Sequence, residues 1–65
     1  DPGPAAIVVR EGAPLREGPA SDAEERHRVL EGERVYVVGE DRDHSRVVCS
    51  GGREGWIATS DIVEL

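Results

Sequence analysis

The chain has 65 residues, 37% apolar, 34% charged and only 3% aromatic, and its fourteen acids exceed its eight bases to give a net charge of −6. A chain this short buries only roughly 60% of the surface it exposes when unfolded, which excludes a large enzyme core. The acidic surplus argues against nucleic acid as a partner, because phosphate binding needs a positive footprint to displace counterions. It favours a neutral or basic partner. No apolar run approaches the roughly 20 residues of a membrane span, so no membrane insertion is expected. The single Cys49 cannot close an internal disulfide, so packing must hold the fold. Beginning at Asp1 with no signal peptide, the chain reads as a processed piece of a longer protein, and as a monomer.

Residues 1–4 carry two prolines and a glycine and read as a linker, with the domain at 5–65. Ala6 to Arg10 is a short β-branched run ending at the turn former Glu11-Gly12, which predicts a strand. Ala13 to Pro19 holds two prolines, which forbid a helix and a central strand over the whole stretch; an irregular extended segment pinning Leu15 into the core is expected. Ser21 to Arg28 offers a capping-box pattern but no apolar face, so a solvated loop is expected.

Strand signals then recur. Arg28-Val29-Leu30 leads into Glu31-Gly32, read as a hairpin turn, and Arg34 to Val38 alternates with Val35 and Val37 on one face. Gly39 to Asp43 reads as a charged turn. Ser45 to Cys49 alternates again, Ser50-Gly51-Gly52 reverses the chain, and Glu54 to Ala58 forms the next strand. Thr59-Ser60-Asp61 predicts one 3₁₀ turn before Ile62 to Leu65 closes the chain. Five or six short antiparallel strands with glycine at the turns predict an all-β fold, and closure into a small barrel removes most exposed edges. The expected core is built around Leu15, Leu30, Val35, Val37, Val47 and Ile57.

Leu15-Arg16-Glu17-Gly18-Pro19-Ala20, then Val29-Leu30-Glu31-Gly32-Glu33-Arg34-Val35, then Val47 and Gly52-Arg53-Glu54-Gly55-Trp56-Ile57 stand in an order and spacing that resembles the bacterial SH3-like (SH3b) domain. The resemblance implies an SH3-like barrel. It also implies a non-catalytic interaction module that docks a protein or cell-wall peptide, peptidoglycan among the candidates, for a larger parent protein of the bacterial cell envelope or periplasm. His44 stands where many family members carry a tryptophan, and His27 where related sequences often carry an aromatic.

His27, His44, Asp43 and Cys49 have the atom types of a metal site but no paired-ligand spacing, so neither metal nor cofactor is expected and both histidines are placed partly exposed on the rim. Cys49 shares a face with Val47 and reads as a small buried hydrophobe rather than a nucleophile, and no catalytic residue is expected. Trp56 reads as a core plug or as a binding-surface anchor, the plug being favoured. If a ligand-facing surface exists, Tyr36 and Trp56 with His44 and Asp43 are its candidates, because binding hot spots favour aromatics within a polar rim. The alternative is a structural cap, packed against the rest of its own chain through an apolar patch at Ile57, Val48 or Val38 with no separate ligand.

Overall fold

The computed structural model describes residues 3–65, so Asp1 and Pro2 of the expected linker lie outside the described residues. Within them the chain forms β1 (Ala5–Val8), β2 (Ala13–Arg16), β3 (Glu25–Val29), β4 (Arg34–Asp41), β5 (His44–Cys49), β6 (Glu54–Ala58) and β7 (Ile62–Glu64). Two 3₁₀ turns, Ser50–Gly52 and Thr59–Asp61, flank β6. The strands make one antiparallel sheet in the order β3-β2-β6-β5-β4-β1-β7. The all-β expectation holds, with seven strands and two 3₁₀ turns in place of five or six and one.

The differences have local causes. Glu25 to Arg28, expected as solvated loop, is strand: β3 lies at the edge of the sheet, exposed on four of its five residues, so it shows no apolar alternation to read. Pro14 is accommodated because β2 is four residues long, pairs with β3 along its length and pairs with β6 only at Arg16↔Trp56. Glu31-Gly32 is not a hairpin turn. β3 pairs with β2, and β4 with β1 and β5, so this turn carries the chain between distant parts of the sheet. Gly32 takes a φ of 89° there, and its N–H donates to the Val8 carbonyl at 2.7 Å.

One face of the sheet is apolar. Ala6 and Val8, Ala13 and Leu15, Val29, Val35 and Val37, Val47 and Cys49, Ile57 and Ile62 are each 9% exposed or less and form a single cluster. A seven-stranded sheet with no covering layer buries such a face only by wrapping around it. Among the described residues no ladder joins the outer strands β3 and β7, so hydrogen-bonded closure of the expected barrel is not seen. Leu30, expected in the core, is 68% exposed: Val29 already points inward, and period two turns the next side chain out just as β3 ends. The core holds no aromatic side chain.

Gly55 in β6 marks a close approach between two strands. A Cβ there would lie 2.8 Å from Leu15 Cγ and 2.9 Å from the Arg16 carbonyl oxygen, so β2 and β6 meet this closely only because the position has no side chain.

Candidate functional site

The β4–β5 hairpin reverses through Arg42-Asp43, extending β4 to Asp41 where a charged turn was expected from Gly39. Arg42 sits in the left-handed region with a φ of 58°. The Asp43 carbonyl accepts the Thr59 N–H at 2.8 Å, which ties the hairpin tip to the second 3₁₀ turn. Ser45 Oγ and Thr59 Oγ1, 2.8 Å apart, make a second tie.

These ties set His44 beneath Asp43. The His44 side chain is only 7% exposed, and its Nδ1 lies 2.8 Å from Oδ1 of the open Asp43 carboxylate. His44 is thus buried rather than partly exposed as expected: it lies opposite Ala58 of β6 and Asp41 of β4, enclosed from both sides, whereas His27 on edge strand β3 is exposed. The hydrogen bond from His44, with help from its own backbone, holds the Asp43 carboxyl below the usual range. An ionised carboxylate only accepts, so Nδ1 carries the proton in this contact.

A half-open recess of about 190 Å³ opens beside this pair. It is lined by Asp43, His44 and Ala58, by Pro14, Arg16 and Ser21, and by Arg10 and Asp61. Asp61, buried at the end of the 3₁₀ turn, accepts from Arg10 Nη1 at 3.3 Å, while its backbone oxygen takes the Val9 N–H at 2.8 Å. Arg16 Nη1 donates to the Ala23 carbonyl at 3.0 Å and so pins the loop after β2. Among the described residues no hydrogen bond involves His44 Nε2, and no buried side-chain nitrogen or oxygen lacks a partner; Nε2 therefore opens to solvent at the recess.

Trp56 lies on the same outer face. Its register partners are Arg46 on β5 and Arg16 on β2, and Ala58, two residues along β6, stands opposite His44. The favoured core-plug reading is corrected: Gly55 and Ile57 point inward, so Trp56 between them points out and is half-buried. Tyr36 lies elsewhere, opposite Val48 and Ala5 on β4 and β1-side surface that the recess does not reach. Of the four candidates the structure brings Asp43 and His44 together, sets Trp56 one residue pair away and leaves Tyr36 apart. Sequence reasoning missed Arg10, Pro14, Arg16 and Asp61 as neighbours of His44, since only the pairing of β2 with β6 and the position of the second 3₁₀ turn bring them there.

Nucleophilic chemistry finds little support in this geometry. Ser21 shares the recess with His44 and Asp43, but among the described residues no hydrogen bond joins it to the imidazole. Cys49 lies in the core on the other face of β5, and burial, reinforced by Glu33, pushes its thiol pKa up, away from the reactive thiolate. Among the described residues no cluster of three or more His, Cys, Asp or Glu side chains could hold a metal ion, and no helix is long and apolar enough to cross a membrane.

A single wrapped antiparallel sheet with 3₁₀ turns between its last strands and a polar recess on one rim is the architecture of a small all-β domain. Residues 11–63 match the family described as Bacterial SH3 domain, and the chain belongs to that family. Its members are typically binding modules, generally for peptides or peptidoglycan, and are usually non-catalytic. The matched span includes every residue of the recess except Arg10. No curated protein shows significant similarity to the chain.

Proposed function

We propose that this domain is a non-catalytic docking module that holds a peptide, from a protein or from the cell wall, against the face formed by Asp43, His44, Arg16 and Trp56 on behalf of a larger bacterial envelope protein. The observation that carries the reading is the His44 imidazole, buried, fixed by Asp43 and open at Nε2 to a recess beside a half-exposed tryptophan. A preset polar atom beside an aromatic wall gives a peptide one orienting hydrogen bond and one stacking surface, the usual division of labour at small recognition sites. The net charge of −6 disfavours polyanionic wall polymers and leaves short peptides as the better ligands. Co-sedimentation of the domain with purified peptidoglycan or with immobilised wall peptides tests this. Retention that falls at least about tenfold in Trp56→Ala is expected, as for a stacked hot-spot aromatic, and equal behaviour of the variant and the parent contradicts the proposed face.

A second reading, a structural cap, draws support from a different surface. Val38, Val63 and Leu65 are 40%, 56% and 70% exposed. Of the three residues expected to mark such a patch, Ile57 is fully buried in the core, Val48 is half-buried and Val38 is open.

A further inference from the structure

The geometry points to the free carboxylate terminus of a short peptide as the group the recess takes, with Arg16 clamping the carboxylate and His44 Nε2 accepting the adjoining amide N–H. This rests on the peptide-binding reading above and specifies its ligand.

Four arginines are paired with acids: Arg10 with Asp61, Arg28 with Glu25, Arg46 with Glu54 and Arg53 with Glu33. Of the four that have no such partner among the described residues, Arg26, Arg34 and Arg42 are exposed, and only Arg16 is half-buried. In a chain of fourteen acids the one sheltered guanidinium without a carboxylate therefore lines the recess. Arg16 spends Nη1 on the Ala23 carbonyl, which fixes the side chain and leaves Nε and Nη2 for the two parallel hydrogen bonds that a carboxylate accepts. Asp61 does not compete for that charge, since Arg10 already lies 3.3 Å from it.

The second point of recognition is of opposite sense. With Nδ1–H given to Asp43, the uncharged form of the ring leaves Nε2 as an acceptor, and that form selects a ligand donor. A peptide C-terminus carries both groups side by side, an anionic carboxylate and the N–H of its last amide. Pro14 and Ala58 supply the apolar lining between them, and a recess of about 190 Å³ has room for a small side chain there. Trp56, flanked in register by Arg16, is placed to cover the residue before. The overall charge of −6 is compatible with a single carboxylate at a direct contact, since field beyond about 8–10 Å is screened at physiological salt.

The test is a titration of the labelled domain, followed by amide and His44 side-chain NMR signals, with N-acetyl-alanyl-alanine, with its C-terminal amide, and with N-acetyl-glutamyl-alanine amide, whose only carboxylate is on a side chain. The first probe is expected to bind at least about tenfold more tightly than the other two, the scale of one charge-assisted contact. In Arg16→Gln that preference is expected to vanish, the affinity for the acid falling to the level of that for the amide; a variant that merely loosens the loop weakens all three probes equally, keeps the preference and overturns the role of Arg16. Equal binding of the three probes at the recess overturns the carboxylate assignment and leaves the peptide-binding face standing. Equal affinity for the glutamyl probe and the acid overturns the terminal assignment. Absence of any shift at Arg16, His44 and Ala58 with all three overturns the inference, while wall-peptide retention that still depends on Trp56 then shows that the broader reading survives.

Discussion

Gly55 shows how one residue can set both packing and site. It has no room for a methyl group: one would press on Leu15 Cγ at 2.8 Å and on the Arg16 carbonyl at 2.9 Å, and the second is backbone that cannot swing aside. Gly55→Ala is expected to cost about 1–3 kcal/mol, the scale of overpacking. Urea unfolding checks this, and an unchanged midpoint contradicts it. Because Arg16 sits on the displaced backbone and lines the recess, the same change is expected to weaken ligand binding through position alone. That a glycine precedes the bulky Trp56 was legible in the sequence. The direction of Trp56 was not, because in a strand with Gly55 and Ile57 on either side alternation fixes two faces without saying which one is the core.

Elements differ in how much they reveal. β4 and β5 were legible from alternation, since Val35, Val37, Val47 and Cys49 all point inward. β3 was not, because an exposed edge strand written Glu-Arg-His-Arg has no apolar face and is held by its ladder to β2. The hairpin tip was half legible: its polarity announced a turn, but not that β4 runs on to Asp41 and leaves Arg42 with a φ of 58°. A non-glycine residue in that region costs about 1–3 kcal/mol, offset in glycine by about 0.5–1 kcal/mol of unfolded-chain freedom. Arg42→Gly is therefore expected to raise stability by up to about 2 kcal/mol in urea unfolding, and a loss contradicts the strain. The loop between β2 and β3 makes a prediction in pH. Glu17, by a side-chain hydrogen bond and by its charge, raises the Glu24 pKa, so the pair stabilises the fold below the carboxylate range and loses that contribution as pH rises through the raised value. Glu24→Gln is expected to raise the melting temperature at pH 7 and not at pH 3, and a gain at both contradicts the coupling. Asp43 runs the other way: its lowered pKa contributes stability that is present at neutral pH and is lost as pH falls through the lowered value.

At the scale of the molecule, one wrapped sheet separates two surfaces of different character. The rim where the β4–β5 hairpin, the loop after β2 and the second 3₁₀ turn meet is polar, recessed and tied together by the Thr59 N–H to Asp43 and the Ser45–Thr59 hydroxyl pair. The outer surface of β1, β4 and β7 carries Tyr36 and the exposed Val63 and lies outside that recess. The family and the all-β class were legible in the order of the glycine, arginine and tryptophan motifs. The recess was not, because its walls come from β2, β5, β6 and the second 3₁₀ turn, which only the sheet order brings together. The central claim is that the recess rim, and not the β1–β4–β7 surface, holds the peptide. Amide shift mapping of the whole domain with soluble wall-peptide fragments tests it most directly: the account predicts perturbations at Arg16, His44, Ala58 and Trp56 with Tyr36 and Val63 unmoved, and perturbations confined to Tyr36 and Val63 would contradict it.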